Sequence, residues 1–143
     1  MSESVTRTNL QPAGCPPDSN QSLGYSYGVR SGATIWVSGQ VAKNPQGDIV
    51  GTADIEAQIV QVMENIKAVL ADGGAVLDDV VKTVVFITDP AFREPYQRLR
   101  RRYFRAPNFP ASSLVVVSAL VHPALLIEVE AVAVIGSGRP VAA

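Results

Sequence analysis

The stretch from Phe109 to Ile135 reads FPASSLVVVSALVHPALLIEVEAVAVI, and its reading decides the fold. It holds a proline-led start, an apolar run, a His-Pro break and a second apolar run carrying Glu128 and Glu130. Side chains alternate along a strand with period two, so these two carboxylates share one face. Ionised carboxylates are rarely buried without a partner, which makes that face either a wet surface or the lining of a site. The two runs read as the last two strands of a sheet, joined near His122-Pro123.

Immediately upstream, Phe92 to Phe104 is expected to be helical, with Phe92, Tyr96, Leu99 and Tyr103 on one face and Pro95 tolerated in the first turn. Its other face carries Arg93, Arg98, Arg100, Arg101 and Arg102, with Arg105 just beyond. Val80 to Ile87 has the β-branched density of a strand buried on most of both faces, and Asp89-Pro90 ends it. Between Thr52 and Gly74 the period is helical, because Ile55, Ile59, Val62, Met63, Ile66, Val69 and Leu70 form one stripe. Thr52 or Asp54 can cap its start, and Gly73-Gly74 offers a left-handed stop. Earlier still, Tyr25, Tyr27 and Val29 alternate with small or polar residues. Arg30-Ser31-Gly32-Ala33 supplies a turn, and Thr34 to Ser38 completes a hairpin.

The resulting order is β-β-α-β-α-β-β, an α+β domain over residues 23–137. Residues 1–22, rich in Ser, Asn, Gln and Pro, are expected to form an irregular arm, and 138–143 a tail. Two helices cover one face of such a mixed sheet, yet Ser113 to Val117 places apolar side chains on both. The simplest cover for the second face is another copy of the chain.

Composition narrows the function classes. A length of 143 residues suits one domain, and 47% apolar against 17% charged excludes a disordered chain. Glutamates interrupt the longest apolar run before it reaches the roughly 18 residues of a membrane span. The first residues also lack the apolar core of a secretory signal, so a cytoplasmic location is expected. One Cys (Cys15) and one His (His122) make a poor metal inventory, and no metal or other cofactor is expected. A net charge of −1 speaks against a general polyanion-binding surface.

Several motifs resemble the RidA/YjgF family, older name endoribonuclease L-PSP. They are Val37-Ser38-Gly39-Gln40, Asn65 to Leu70 before Gly73-Gly74, Asp79 to Phe86, the Phe109-Pro110-Ala111 corner and Ile127 to Ala133. The resemblance implies a chorismate-mutase-like fold assembled as a homotrimer, with small-molecule pockets in the clefts between subunits. It also implies hydrolysis of reactive enamines and imines to carbonyl products and ammonia, without a cofactor. Carried over residue by residue, Tyr25 and Ser38 line the substrate pocket, and Glu128 is associated with the attacking water. The chain departs from the family's deaminases at Ser112. They read Pro-Ala-Arg-Ser at this corner, and this sequence reads Pro110-Ala111-Ser112-Ser113.

That departure matters because a bidentate guanidinium both holds a carboxylate and fixes its orientation, typically contributing about 1.5 to 3 kcal/mol. Serine donates a single neutral hydrogen bond. Gly24 in place of the usual proline before Tyr25, and Gln97 in place of an asparagine, also point to a pocket of altered preference. Alternatives stay open beside each role. Glu128 could be a solvent-facing strand residue, as Glu130 is read to be; Tyr25 could be a packing aromatic; Ser38 a polar strand end; Ser112 ordinary corner structure. The arginine run reads either as a basic face for RNA phosphates or as a solvated helix face. The domain can equally be read as a non-catalytic trimer that binds a small metabolite. His122 reads as a turn residue, and Cys15 as incidental.

Overall fold

The computed structural model describes residues 5–12 and 23–138; Cys15 and residues 139–143 of the expected tail lie outside them. The apolar stripe of the first helical segment folds as α1, Ile55–Asp72. Asp54, in extended conformation, accepts the Ala57 amide at 3.1 Å and so satisfies one of the donors that a helix start leaves orphaned. Ile59, Val62, Met63, Ile66, Val69 and Leu70 are all fully buried. Burying each such side chain contributes about 1.5–3 kcal/mol, so this stripe is the main anchor of the core.

The second helix is shorter than its expected range. A single 3-10 turn at Pro90–Phe92 precedes α2, Arg93–Arg100. Asp89 starts the turn by accepting the Ala91 amide at 2.8 Å. Arg100, Arg101 and Arg102 follow Leu99 without an apolar residue to bury, which removes the packing that would extend the helix.

Among the described residues the sheet has six strands: β1 (Arg7–Leu10), β2 (Gly28–Ser31), β3 (Thr34–Gln40), β4 (Val80–Ile87), β5 (Ala111–Val116) and β6 (Ile127–Val134). Their spatial order is β1-β2-β3-β6-β4-β5, with β4 and β5 parallel and every other pair antiparallel. The expectation of an irregular arm over 1–22 is corrected at β1, which pairs with β2 and buries Leu10 to 2% exposure. One apolar residue in four gives no local signal; the partner strand makes this segment a strand.

Both helices lie on one face of the sheet. Ile35, Val37, Thr83, Val85, Ile87, Val129 and Ala131 point toward them and are buried. The opposite face carries Trp36, 48% exposed, together with half-buried side chains of β4 and β6. Burial of β4 on both faces therefore needs correcting for the single chain, which buries only its helix side. Fully buried Gln58 ties α1 to the segment leading into β6. Its Nε2 donates to Ala124 O at 2.7 Å, and its Oε1 accepts the Leu126 amide at 2.8 Å. No helix among the described residues is long and apolar enough to cross a membrane.

Candidate functional site

Glu128 stands near the start of β6, paired across the ladder with Phe86 of β4. On its other side the pairing of β3 with β6 shifts register between Val37 and Gln40. Such an irregularity re-aims side chains and opens a local gap. The Glu128 carboxylate fills it so closely that a Cβ on Gly39 would overlap Oε1. A side chain at position 39 would push the Glu128 carboxylate out of this place. Burial, and secondarily the nearby Glu130 carboxylate, push the Glu128 carboxyl above its ordinary range. Among the described residues no cation pairs with it. Glu130 is exposed, as expected of the solvated neighbour.

Ser38 sits beside Gly39 and faces the segment that precedes β2. Its amide donates to Tyr27 O at 2.9 Å, and its hydroxyl donates to Ser26 O. With that hydrogen engaged, the Ser38 oxygen has only lone pairs to offer a ligand. Tyr25, half exposed, and Ser38 line one open hollow of about 550 Å³ with Arg7, Asn9 and Gly24. Gly24 adopts φ +76°, a left-handed conformation that proline's ring forbids, so this wall is built on a different backbone from a proline-led one. Sequence reasoning missed Arg7 and Asn9. The β1 pairing that delivers them leaves no apolar pattern in the sequence.

Ser112 is placed elsewhere. It pairs with Thr83 in the parallel ladder, and its Oγ accepts from Thr83 Oγ1 at 3.1 Å. Thr83 is buried on the helix side, whereas Glu128 opposes Phe86, three residues along β4 and on the open face. Within one chain Ser38 shares a hollow with Tyr25, its neighbour Gly39 meets Glu128, and Ser112 lies on the opposite face of the sheet from Glu128.

The remaining candidates separate clearly. His122 Nδ1 accepts the Ala124 amide at 3.0 Å, a turn contact. Arg98 is tied to Glu56 at 2.7 Å and to Glu94 at 3.3 Å, and Arg100 lies 5.7 Å from the Tyr96 ring centroid, so the arginine run is not one uniform basic face. Gln97 is half-buried on the outer side of α2, in a shallow depression with Glu94, Arg98 and Arg101.

Comparison with known proteins shows the family of the chain. The family model described as endoribonuclease L-PSP matches residues 19–135. A RutC family protein of Haemophilus influenzae is 36% identical over 138 residues, covering 94% of this chain and 98% of its own. The 2-iminobutanoate/2-iminopropanoate deaminase of Escherichia coli is 35% identical over 136 residues, with the same coverage of 94% and 98%. The crystal structure of YyfA of Yersinia pestis, from the conserved Rid protein family, superimposes with a TM-score of 0.82 at 34% identity, covering 91% of this chain and all of that one.

Proposed function

The chain belongs to the endoribonuclease L-PSP family, the RidA/YjgF proteins, and on that premise we propose that it hydrolyses a reactive enamine or imine to a carbonyl compound and ammonia. The observation that carries this reading is Glu128: a carboxylate with no cation paired to it among the described residues, seated on Gly39 with its pKa raised by burial, next to Ser38, which shares a hollow with Tyr25. A carboxylate tuned upward is a better base toward water at neutral pH than an ordinary one. Similarity to the Escherichia coli deaminase along nearly the whole chain supports the reaction class.

The steps follow from that placement. An enamine first gains a proton at carbon and loses one from nitrogen, becoming its imine tautomer. Glu128 removes a proton from water as the oxygen attacks the imine carbon, giving a carbinolamine. The carboxylic acid so formed returns its proton to nitrogen to complete the carbinolamine; the regenerated carboxylate then carries the hydroxyl proton to nitrogen as the C–N bond breaks, so that ammonia leaves and the carbonyl forms. Atoms balance as imine plus water to carbonyl plus ammonia, and no group beyond this chain's own residues takes part.

The working assembly is a homotrimer. Trp36 and the open sheet face need a cover, and a cleft between copies would let Ser112 of one chain approach Glu128 of another. Ser112, standing where the family's deaminases carry arginine, alters the substrate preference. Purified protein releases ammonia from freshly generated 2-iminobutanoate above the spontaneous rate, and Ser112→Arg gains about tenfold on the smaller 2-iminopropanoate. Ligand-induced thermal stabilisation with no turnover would instead mark a metabolite-binding trimer.

A further inference from the structure

On the helix side of the sheet, α2 and the approach to β5 enclose a second cavity of about 230 Å³. Thr83, Arg100, Arg101, Phe104, Phe109 and Pro110 line it. Two of these six residues are arginines, and none is a carboxylate. Arg100 makes no ion pair; among the described residues the ion pairs belong to Arg98. Its guanidinium carbon stands over the Tyr96 ring, 5.7 Å from the centroid, on the wall of the cavity.

Behind the wall lies the Tyr96 hydroxyl, on a fully buried side chain; it makes no hydrogen bond of good geometry, with Thr83 and Arg100 as its polar neighbours. Burial pushes its pKa up, while Arg100 and Thr83 beside it pull the other way. A buried hydroxyl with imperfect hydrogen bonds costs stability, and a polar ligand beside Thr83 and Arg100 would improve its surroundings. Thr83 continues the polar side of the cavity to Ser112, whose own hydroxyl hydrogen is free because it accepts from Thr83. Phe104, Phe109 and Pro110 provide the apolar side.

We propose that Arg100 supplies the cation of a site for a small carboxylate in this cavity, with Thr83 and Ser112 as neutral polar contacts and Phe109 against the ligand's carbon body. A volume below the roughly 300–1,000 Å³ of drug-sized pockets fits an acid of a few carbons. The carboxylate is that of the imino acid or its keto-acid product, an identification that rests on the deaminase reading. The guanidinium thus reaches the ligand from α2, one strand away from Ser112.

The test is calorimetric titration of the full chain with 2-oxobutanoate and with uncharged butan-2-one. The wild type binds the keto acid more tightly than the ketone. Arg100→Met weakens keto-acid binding tenfold or more and leaves the ketone unchanged. Arg102→Met, exposed and outside the cavity, keeps wild-type affinity. Should Arg100→Met fail to fold, Arg100→Lys, which keeps the charge and loses the fork, shows an intermediate loss. Unchanged affinity in the Arg100 variants, loss at Arg7→Met instead, or a wild type that binds neither compound or both equally would overturn the proposal. Binding and turnover are separate readouts. Arg100-dependent binding without hydrolysis removes the deaminase reading alone; hydrolysis whose KM does not respond to Arg100 removes this inference alone.

Discussion

The Glu128 carboxylate and the Gly39 backbone occupy adjoining space with no room for a methyl group between them. This contact joins the register shift in β3 to the proposed base on β6. Gly39→Ala displaces the Glu128 carboxylate, the movable end of its side chain, and the expected cost is about 1 kcal/mol in urea denaturation. Truncating Glu128 to Ala in the same chain should recover most of that loss. The double-mutant cycle is the check: a coupling below about 0.5 kcal/mol would mean that the two groups do not meet.

Glu128 also makes folding stability depend on pH. Its carboxyl holds its proton more tightly in the folded chain than in the unfolded one. The stability that this proton contributes is fully present below the unfolded-state pKa and is lost as pH rises through the folded-state pKa. Glu128→Gln therefore melts at a higher temperature than wild type at neutral pH, and the gap closes as the medium is acidified. A gap that widens toward acid would reverse the assignment.

Tyr96 offers a simpler test. Its hydroxyl is buried and makes no hydrogen bond of good geometry, so Tyr96→Phe should stabilise by roughly 1 kcal/mol. A loss of similar size would show that the hydroxyl has a partner.

Trp36 tests the assembly. Nearly half its surface is exposed on the open sheet face in the single chain. Trp36→Glu should convert a trimer into monomers on size-exclusion chromatography with light scattering. A wild type that elutes as a monomer would remove the proposed intersubunit cleft.

Much of this was legible in the sequence, for reasons particular to each residue. The α1 stripe from Ile55 to Leu70 repeats at helical spacing and could hardly fold otherwise. The β4 range from Val80 to Ile87 was marked by its branched residues and by Asp89-Pro90. Glu128 stood out as a carboxylate among valines. What stayed hidden depends on pairing between distant segments. β1 carries a single buried apolar residue and exists because β2 lies beside it. That Ser112 and Glu128 face opposite ways follows only from the registers Thr83 with Ser112 and Phe86 with Glu128. The arginine run looked uniform, yet Arg98 is spent on Glu56 and Glu94 while Arg100 turns to Tyr96. Composition cannot distinguish those neighbours, because the packing of α2 decides which guanidinium faces the cavity.

The most direct measurement is the initial rate of ammonia release from enzymatically generated 2-iminobutanoate, compared between wild type and Glu128→Gln. With Glu128 as the base, the wild type exceeds the spontaneous rate and the variant falls by about 100-fold or more, at unchanged fold and assembly. A Glu128→Gln protein that hydrolyses the imine at the wild-type rate, or a wild type no faster than buffer, would contradict the account.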